Sequence, residues 1–274
     1  MRSTFTANSI ALLVAFVIRA NAIAADLHPI VEVQSGYLFG ATANGKWMKA
    51  EEAAKALPGE TTYQVYGLTE SLGEAKGGKP KAVEDVCTDT LSVSLSPKSE
   101  KGVIALAAPR NALPRKPRAS DTTQQVYSDA VRDFLKTKGL EQPKVKIENI
   151  LRVDLDGDGE DEVLISATNY FSKDDRVPMR SPAGSYSMVL LRRVVAGKVE
   201  TQLVEGEFHL KAYLRKEDSF DAPNGYKVIA TLDLDGDGKM EVVVGSSYYE
   251  GRAITIYRCD PKKIEALLFV ACGA

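Results

Sequence analysis

Histidine and tryptophan are almost absent from this chain, whose 274 residues include two histidines and one tryptophan. A Ser-His-Asp or Cys-His arrangement would therefore depend on His28 or His209. His28 lies near the start of the chain and His209 in the strand-like segment GEFHLKAYLRK, so neither predicts a triad. Gly-rich phosphate loops, H-E-x-x-H and C-x-x-C are also missing, which leaves nucleotide, zinc-protease and thioredoxin-like chemistry without a motif. We predict no catalytic residue, although a glycosidase-type carboxylate pair would leave no sequence motif.

Long apolar runs are confined to the first 24 residues. Arg2 supplies a positive start, residues 10–18 (IALLVAFVI) are all apolar, and residues 22–24 (AIA) have the small-x-small pattern of a cleavage site. This pattern predicts a secretory signal peptide over residues 1–24, cleaved before Ala25. An uncleaved anchor is the alternative, but a spanning helix needs roughly 20 apolar residues. We expect a secreted or periplasmic protein with no membrane span after cleavage.

An excess of charge of one sign is missing as well. The formal net charge is −2, and it becomes −4 once residues 1–24 are removed with their two arginines. A mildly acidic chain without a dense basic patch is a poor candidate for nucleic acid or anionic lipid. An extracellular protein or a polysaccharide is the partner class that we expect.

Three cysteines remain in the predicted mature chain. One disulfide and one free thiol is the simplest arrangement in an oxidising compartment, and three buried thiols are the alternative. Residues 260–263 (DPKK) predict a turn that pairs Cys259 near Ile264, so that Cys272 lies roughly 26 Å further along the strand. Disulfide Cα atoms lie closer than about 7 Å. We therefore predict that Cys87 bonds to Cys259 or to Cys272.

Composition divides the mature chain into three regions. Residues 25–108 carry short strand signals and one helix-forming segment at about 47–57 (WMKAEEAAKAL). Residues 109–121 hold three prolines and four basic residues, which predicts a linker. We favour a solvated connection over docking on an acidic partner. Residues 122–274 begin with a helix at about 122–138 and continue as strands, so the fold class is mainly β with antiparallel hairpins.

The helix at about 122–138 has Asp121 and Gln124 in the positions of a capping box. Its apolar residues recur at helical spacing on one predicted core face: Val126, Tyr127, Ala130, Val131, Phe134 and Leu135.

The strand region repeats itself at a shift of 79 residues. Nine of the seventeen positions from 154 to 170 match their counterparts, and the matches begin with the acidic segments DLDGDG at 154–159 and 233–238. A duplicated acidic loop flanked by strands indicates a repeated supersecondary unit.

Carboxylates at alternate positions of a tight loop, followed by glycine, provide the oxygen ligands that Ca²⁺ prefers. An EF-hand is excluded because position 12 is Ile165 or Val244, not Glu, and both lie in strand-like segments. A Glu at position 9 can supply the missing carboxylate instead. We therefore predict two Ca²⁺ sites, with metal-free turns or Mg²⁺ as the alternatives. The predicted ligands are Asp154, Asp156, Asp158, the carbonyl of Glu160 and Glu162, and Asp233, Asp235, Asp237, the carbonyl of Lys239 and Glu241.

The motif D-x-D-G-D-G-x-x-E between two strands resembles the calcium loop of FG-GAP and VCBS-type repeats. These repeats build the propeller of integrin α-chains and occur in many exported bacterial proteins. The resemblance covers about residues 150–270 and implies antiparallel hairpins shaped like partial propeller blades, with side-chain ligands at the Asp and Glu positions named above. It predicts an exported binding module in which calcium stabilises hairpin turns, and a secreted hydrolase with structural calcium is the alternative.

Overall fold

A computed structural model describes residues 26–83, 87–170, 177–178, 180–212 and 223–273. The predicted signal peptide, residues 1–24, lies outside these residues and stays a prediction. Among the described helices, none is long and apolar enough to cross a membrane.

The elements of the first part of the chain are β1 (Leu27–Glu32), β2 (Leu38–Ala43), β3 (Lys46–Lys49), α1 (Ala50–Ala56), β4 (Thr61–Tyr66), β5 (Ser71–Gly77), β6 (Lys81–Ala82), β7 (Leu91–Ser92), β8 (Leu95–Ser96) and β9 (Ile104–Leu106). Seven of these strands form one antiparallel sheet in the order β3-β2-β1-β9-β4-β5-β8, and β6 and β7 form a separate pair.

The helix predicted at 47–57 exists, but it begins three residues later than expected. Trp47 belongs to β3 and pairs with Thr42 of β2. The intervening turn uses Asn44 and Gly45, both with positive φ (52° and 69°). An Asn-Gly pair in this conformation is the preferred two-residue hairpin turn, so strand pairing overrides the helix propensity of the first three residues.

The second part of the chain forms two antiparallel sheets, each containing four consecutive strands in sequence order. The first has the order β10-β11-β12-β13-β14 and the second β15-β16-β17-β18. Four antiparallel strands are the unit of a propeller blade, so the mainly β fold with blade-like hairpins is confirmed. The elements are β10 (Arg118–Ala119), α2 (Gln125–Thr137), β11 (Ile147–Val153), β12 (Glu162–Thr168), β13 (Ser185–Val195), β14 (Lys198–His209), β15 (Gly225–Leu232), β16 (Glu241–Ser247), β17 (Gly251–Asp260) and β18 (Lys263–Gly273).

Helix α2 covers the first blade-like sheet. Tyr127, Val131 and Leu135 are buried at helical spacing and share a core with strand residues such as Ile150 and Ile165. The prediction that Val126 faces the core is wrong, because its side chain is 53 % exposed. Gln124 lies at the N-cap and makes no side-chain capping bond, and Asp121 instead accepts the N–H of Thr123 at 2.9 Å.

The two blade-like sheets contact each other along the edge of β15. The N–H of Tyr226 donates to the hydroxyl of Ser187 at 2.8 Å, and that of Val228 donates to the hydroxyl of Ser166 at 3.1 Å. Both serines are fully buried. A buried N–H needs a partner, so these hydroxyls replace a neighbouring strand.

One disulfide, Cys87–Cys272, connects the two parts of the chain with Cα atoms 5.6 Å apart, and Cys259 is free. Cys259 pairs with Ile264 across the turn at 260–263. Both the predicted hairpin register and the predicted use of Cys87 are therefore confirmed. The two parts also share an apolar core that extends from Ile30 to Val270.

Residues 109–119 follow the first sheet, and Ala112 and Leu113 among them join the core shared by the two parts of the chain. We call residues 109–119 the clasp segment. Ala112 is fully buried and Leu113 is 4 % exposed. The N–H of Ala112 donates to the hydroxyl of Tyr66 at 3.0 Å, and its carbonyl accepts the N–H of Asp233 at 2.8 Å. Ala112 and Leu113 are therefore not solvated as the composition of this Pro- and Arg-rich stretch suggested, whereas the linker assignment of residues 109–121 stays a prediction.

Candidate metal centre

The two acidic loops occupy equivalent turns of the two blade-like sheets. One joins β11 to β12 and the other joins β15 to β16. The first Asp of each loop accepts the N–H groups three and five residues later, Asp154 at 2.7 and 3.1 Å and Asp233 at 2.7 and 3.3 Å. Asp156 and Asp235 each accept the N–H two residues later at 3.2 Å. The sequence repeat is therefore also a repeat of loop conformation.

The Glu at the ninth position begins the following strand and turns back towards the loop. Glu162 accepts the N–H of Leu155 at 2.8 Å, and Glu241 accepts that of Leu234 at 2.9 Å. Glu162 is 6 % exposed and Glu241 is 1 % exposed. Each carboxylate is therefore held against the start of its own loop and is largely removed from water.

Three carboxylates converge in each loop. Asp154, Asp156 and Glu162 form one group, and Asp233, Asp235 and Glu241 form the other, each with one oxygen per residue within 4.8 Å of the others. Each group offers carboxylate oxygens and no sulfur or nitrogen ligand, and such a donor set suits a hard divalent cation such as Ca²⁺. The donor set therefore fits the ion that the sequence predicts.

Burial raises the pKa of three of these carboxyl groups, those of Glu162, Asp233 and Glu241, and so disfavours their ionised forms when no cation is bound. Burial raises the pKa of Glu241 to about 8, and the nearby charge of Asp235 adds to the effect. Burial also raises the pKa of Glu162 and that of Asp233. A bound cation would reverse this preference by favouring the ionised form.

The remaining predicted ligands lie outside the two converging groups. Asp158 and Asp237 are exposed, and each accepts the N–H of the residue two positions later at 2.8 Å. Those later residues, Glu160 and Lys239, are exposed at the loop tips, and the Nζ of Lys239 contacts Asp260 at 3.0 Å. Ligation by these two aspartates and by the carbonyls of Glu160 and Lys239 stays a prediction.

Asp235 has two partners from elsewhere in the chain. The indole Nε1 of Trp47 donates to its Oδ2 at 3.2 Å, and a guanidinium nitrogen of Arg258 donates to the same atom at 2.7 Å. Arg258 follows Tyr257, the partner of Val242, and Arg193 follows Arg192, the partner of Val163, so both arginines lie next to the paired residues at the Glu end of their sheets. Both line the cleft that also contains Glu162 and Glu241. No local sequence pattern indicates either arginine, because Arg193 follows Glu162 by 31 residues and Arg258 follows Glu241 by 17.

The clasp segment contributes one arginine to each loop. Arg110 donates to the carbonyl of Leu234 at 2.6 Å, and the Nε of Arg115 donates to the carbonyl of Asp154 at 2.5 Å. Gly236 and Gly157 have positive φ, and a side chain at either position would point at the corresponding guanidinium, 2.8 and 3.4 Å from its nearest atom. Glycine at the fourth loop position therefore permits both the turn and the arginine contact.

The two loops are neighbours in space. The N–H of Met240 donates to the carbonyl of Leu155 at 2.7 Å. A small cleft between the loops is lined by Glu162, Glu241 and Cys259, among others. Burial raises the pKa of Cys259 to about 12, so its thiol stays protonated at neutral pH and is a poor ligand for a hard cation.

Neither histidine lies at the acidic loops. The Nδ1 of His28 contacts the carbonyl of Ala107 at 3.1 Å, and the Nε2 of His209 contacts Glu207. The ring of His209 also lies 5.7 Å from that of Tyr170. No serine or cysteine nucleophile is placed against either ring by the contacts of the described residues.

A family model described as the FG-GAP repeat matches residues 224–257 of the chain. This stretch contains β15, the second acidic loop, β16 and the greater part of β17. The resemblance that the sequence suggested is therefore confirmed for the second blade-like sheet. Comparison with curated proteins and with solved structures gave no match.

Proposed function

We propose that the protein binds two Ca²⁺ ions, one in each acidic loop, and that the ions stabilise the turn between β11 and β12 and the turn between β15 and β16. The observation that carries this proposal is the duplicated convergence of three carboxylates, one of them a buried Glu. The residues that would hold the ions are the ten that the sequence predicts, with Asp154, Asp156 and Glu162, and Asp233, Asp235 and Glu241, as the core of each set. When bound, calcium would supply charge compensation and a rigid coordination geometry.

Calcium binding is favoured over metal-free turns because three converging carboxylates are energetically unfavourable when no ion lies between them. Three like charges within a few ångströms repel one another, and the raised pKa of Glu241 shows how unfavourable its ionised form is without a cation. Calcium is favoured over Mg²⁺ because Mg²⁺ seldom uses sites made wholly of protein ligands. Affinity on the order of 10⁻⁴ to 10⁻³ M is typical of extracellular modules and is what we expect here.

Export and partner binding complete the proposal. A disulfide that joins distant parts of the chain suits an oxidising compartment, and residues 1–24 have the pattern of a secretory signal peptide. We propose a secreted or periplasmic binding module with a protein or polysaccharide partner, divided as the composition suggests into residues 25–108, the segment 109–121 and residues 122–274. A hydrolase that keeps calcium for structure is the second candidate, and activity profiling with and without chelator would distinguish the two.

Calorimetry on the mature protein tests the metal proposal. We expect uptake of two calcium ions and a lower melting temperature in EDTA. With Kd near 10⁻⁴ M, millimolar calcium stabilises by roughly 1.4 kcal/mol per site, which moves a melting curve by a few degrees. The double variant Asp156→Ala with Asp235→Ala should lose most of this shift. Glu160→Ala is the matched control, because its exposed side chain is not a predicted ligand. Absence of calcium uptake at millimolar concentration would contradict the proposal.

A further inference from the structure

We propose that the clasp segment makes the two calcium sites interdependent, and that Arg115 is the positioning residue that couples them. This inference rests on the proposed calcium binding and concerns how the two loops influence each other. Coupling between two sites needs a shared element whose position depends on the state of both. The structure contains such an element at the junction of the loops.

Arg115 contacts both loops through one side chain. Its Nε donates to the carbonyl of Asp154 at 2.5 Å, and Nη2 donates to the carbonyls of Leu155 at 3.2 Å and Gly238 at 2.7 Å. A guanidinium is planar and holds its donors in a fixed fork. Movement of either loop therefore displaces donors that the other loop uses.

Leu155 provides a second, direct connection. Its N–H donates to the carboxylate of Glu162, a predicted ligand of the first loop, at 2.8 Å. Its carbonyl accepts the N–H of Met240, just before the Glu241 of the second loop, at 2.7 Å. The peptide groups on either side of this one residue thus join a ligand of one site to the backbone of the other.

The clasp segment is itself attached to the second loop. The carbonyl of Ala112 accepts the N–H of Asp233, the first predicted ligand of that loop, at 2.8 Å. The side chain of Asn111 fixes the turn by bonding the N–H of Leu113 at 3.0 Å and its carbonyl at 3.2 Å. An ion that orders Asp233 therefore also orders the segment that places Arg115 on the first loop.

The expected consequence is positive cooperativity. An ion in one loop fixes Arg115 and Leu155, so the second ion finds part of its own loop already ordered and binds more tightly. Couplings between protein sites are commonly worth about 5-fold or more in affinity. We expect at least that factor between these adjacent loops.

Calcium titration by calorimetry on single-site variants of the full mature chain measures the coupling. Asp156→Ala leaves only the second site and Asp235→Ala leaves only the first. We expect the intact site in each variant to bind calcium at least about 5-fold more weakly than the same site does in the wild type with its neighbour filled. The ratio of these two affinities measures the coupling. Introducing Arg115→Ala into all three backgrounds should lower this ratio towards one, and what remains measures the direct connection through Leu155.

Two further arginine variants separate the coupling from other effects. Arg110→Ala removes a contact to the second loop alone, so it should weaken that site while the ratio is retained. Arg115→Lys keeps a positive charge near Asp154 but lacks the fork of donors, so it should lower the affinity ratio as far as Arg115→Ala does. That result would show that the geometry of the guanidinium, and not its charge, couples the sites. Arg115→Lys also serves if Arg115→Ala fails to fold.

An unchanged affinity of the intact site in both single-site variants would overturn the coupling while leaving calcium binding in place. A ratio that is unchanged by Arg115→Ala, or that falls equally in Arg110→Ala, would overturn the role of Arg115. Absence of any calcium uptake by the wild type would instead contradict the proposed function.

Discussion

Replacing Glu241 by glutamine should change how the stability of the metal-free protein depends on pH. Glu241 is 1 % exposed, and burial with the charge of Asp235 raises its pKa from 4.5 to about 8. In the unfolded chain the same carboxyl ionises near its ordinary value. Between these two pH values the folded state keeps a proton that the unfolded state has released, so stability falls as pH rises.

The magnitude follows from the size of the shift. One pKa unit corresponds to about 1.4 kcal/mol, so the metal-free protein should lose roughly 3 kcal/mol of stability from Glu241 between pH 5 and pH 7.5. Glutamine resembles the protonated carboxyl and does not titrate. Glu241→Gln should therefore equal the wild type near pH 4.5 in EDTA and exceed it in stability by an increasing margin up to about pH 8.

In calcium the wild type should be more stable than Glu241→Gln, the reverse of the order in EDTA. The ion binds the ionised carboxylate, so below pH 8 each binding event at the second loop releases a proton. The calcium affinity of this loop should therefore fall about tenfold for each unit by which the pH is lowered below 8. Glu241→Gln should lose most of its calcium-dependent stabilisation at this site. Glu162→Gln is the matched control in the first loop, where burial raises the pKa of a more accessible carboxyl.

Urea denaturation at half-unit pH steps from 4.5 to 8.5, in EDTA and in millimolar calcium, measures all of these quantities. If the unfolding free energies of wild type and Glu241→Gln depend on pH in the same way in EDTA, the raised pKa assigned to the buried Glu241 carboxyl is refuted. Calcium affinity independent of pH between 6 and 8 would refute its role as a ligand.

Three further predictions concern single contacts. The fluorescence of Trp47, the only tryptophan, should change on calcium addition because its indole donates to Asp235, and Asp235→Ala should abolish that response. Replacing both Cys87 and Cys272 by serine opens a loop of 185 residues and should cost roughly 5 kcal/mol of stability by chain entropy, measured by urea denaturation; a loss below 1 kcal/mol would contradict it. Ser166→Ala leaves a buried N–H of β15 without its partner and should lower the unfolding free energy by about 1–3 kcal/mol, whereas an unchanged midpoint would show that the N–H finds another acceptor.

The loops and the hairpins could be predicted from the sequence because their determinants are local. Asp, Gly and Glu positions within nine residues fix each turn, and the turn at 260–263 fixes the register that places Cys259 opposite Ile264. The Asn44-Gly45 turn was equally local, and reading it as a hairpin would have placed Trp47 in a strand.

The missed part of the site depends on contacts between residues far apart in sequence. Arg193 and Arg258 occupy equivalent positions, yet loops of different length separate them from Glu162 and Glu241, so a search at one fixed shift cannot find both. Arg115 stands in a Pro- and Arg-rich stretch whose composition indicates solvation. Only the structure shows that Ala112 and Leu113 of this segment are buried in the core.

The bond from Trp47 to Asp235 and the contact from Arg110 to Leu234 bring distant chain segments to one turn. The stretch recognisable as a repeat, residues 224–257, therefore contains the predicted ligands of the second loop but not Trp47 or Arg110, which contact that loop from elsewhere in the chain. A fragment cut at residue 122 would keep both acidic motifs and lose Trp47, Arg110 and Arg115 together. Excising or grafting the repeat by its sequence boundaries would transfer the acidic motif without the side chains that contact it from the first part of the chain and from the clasp segment.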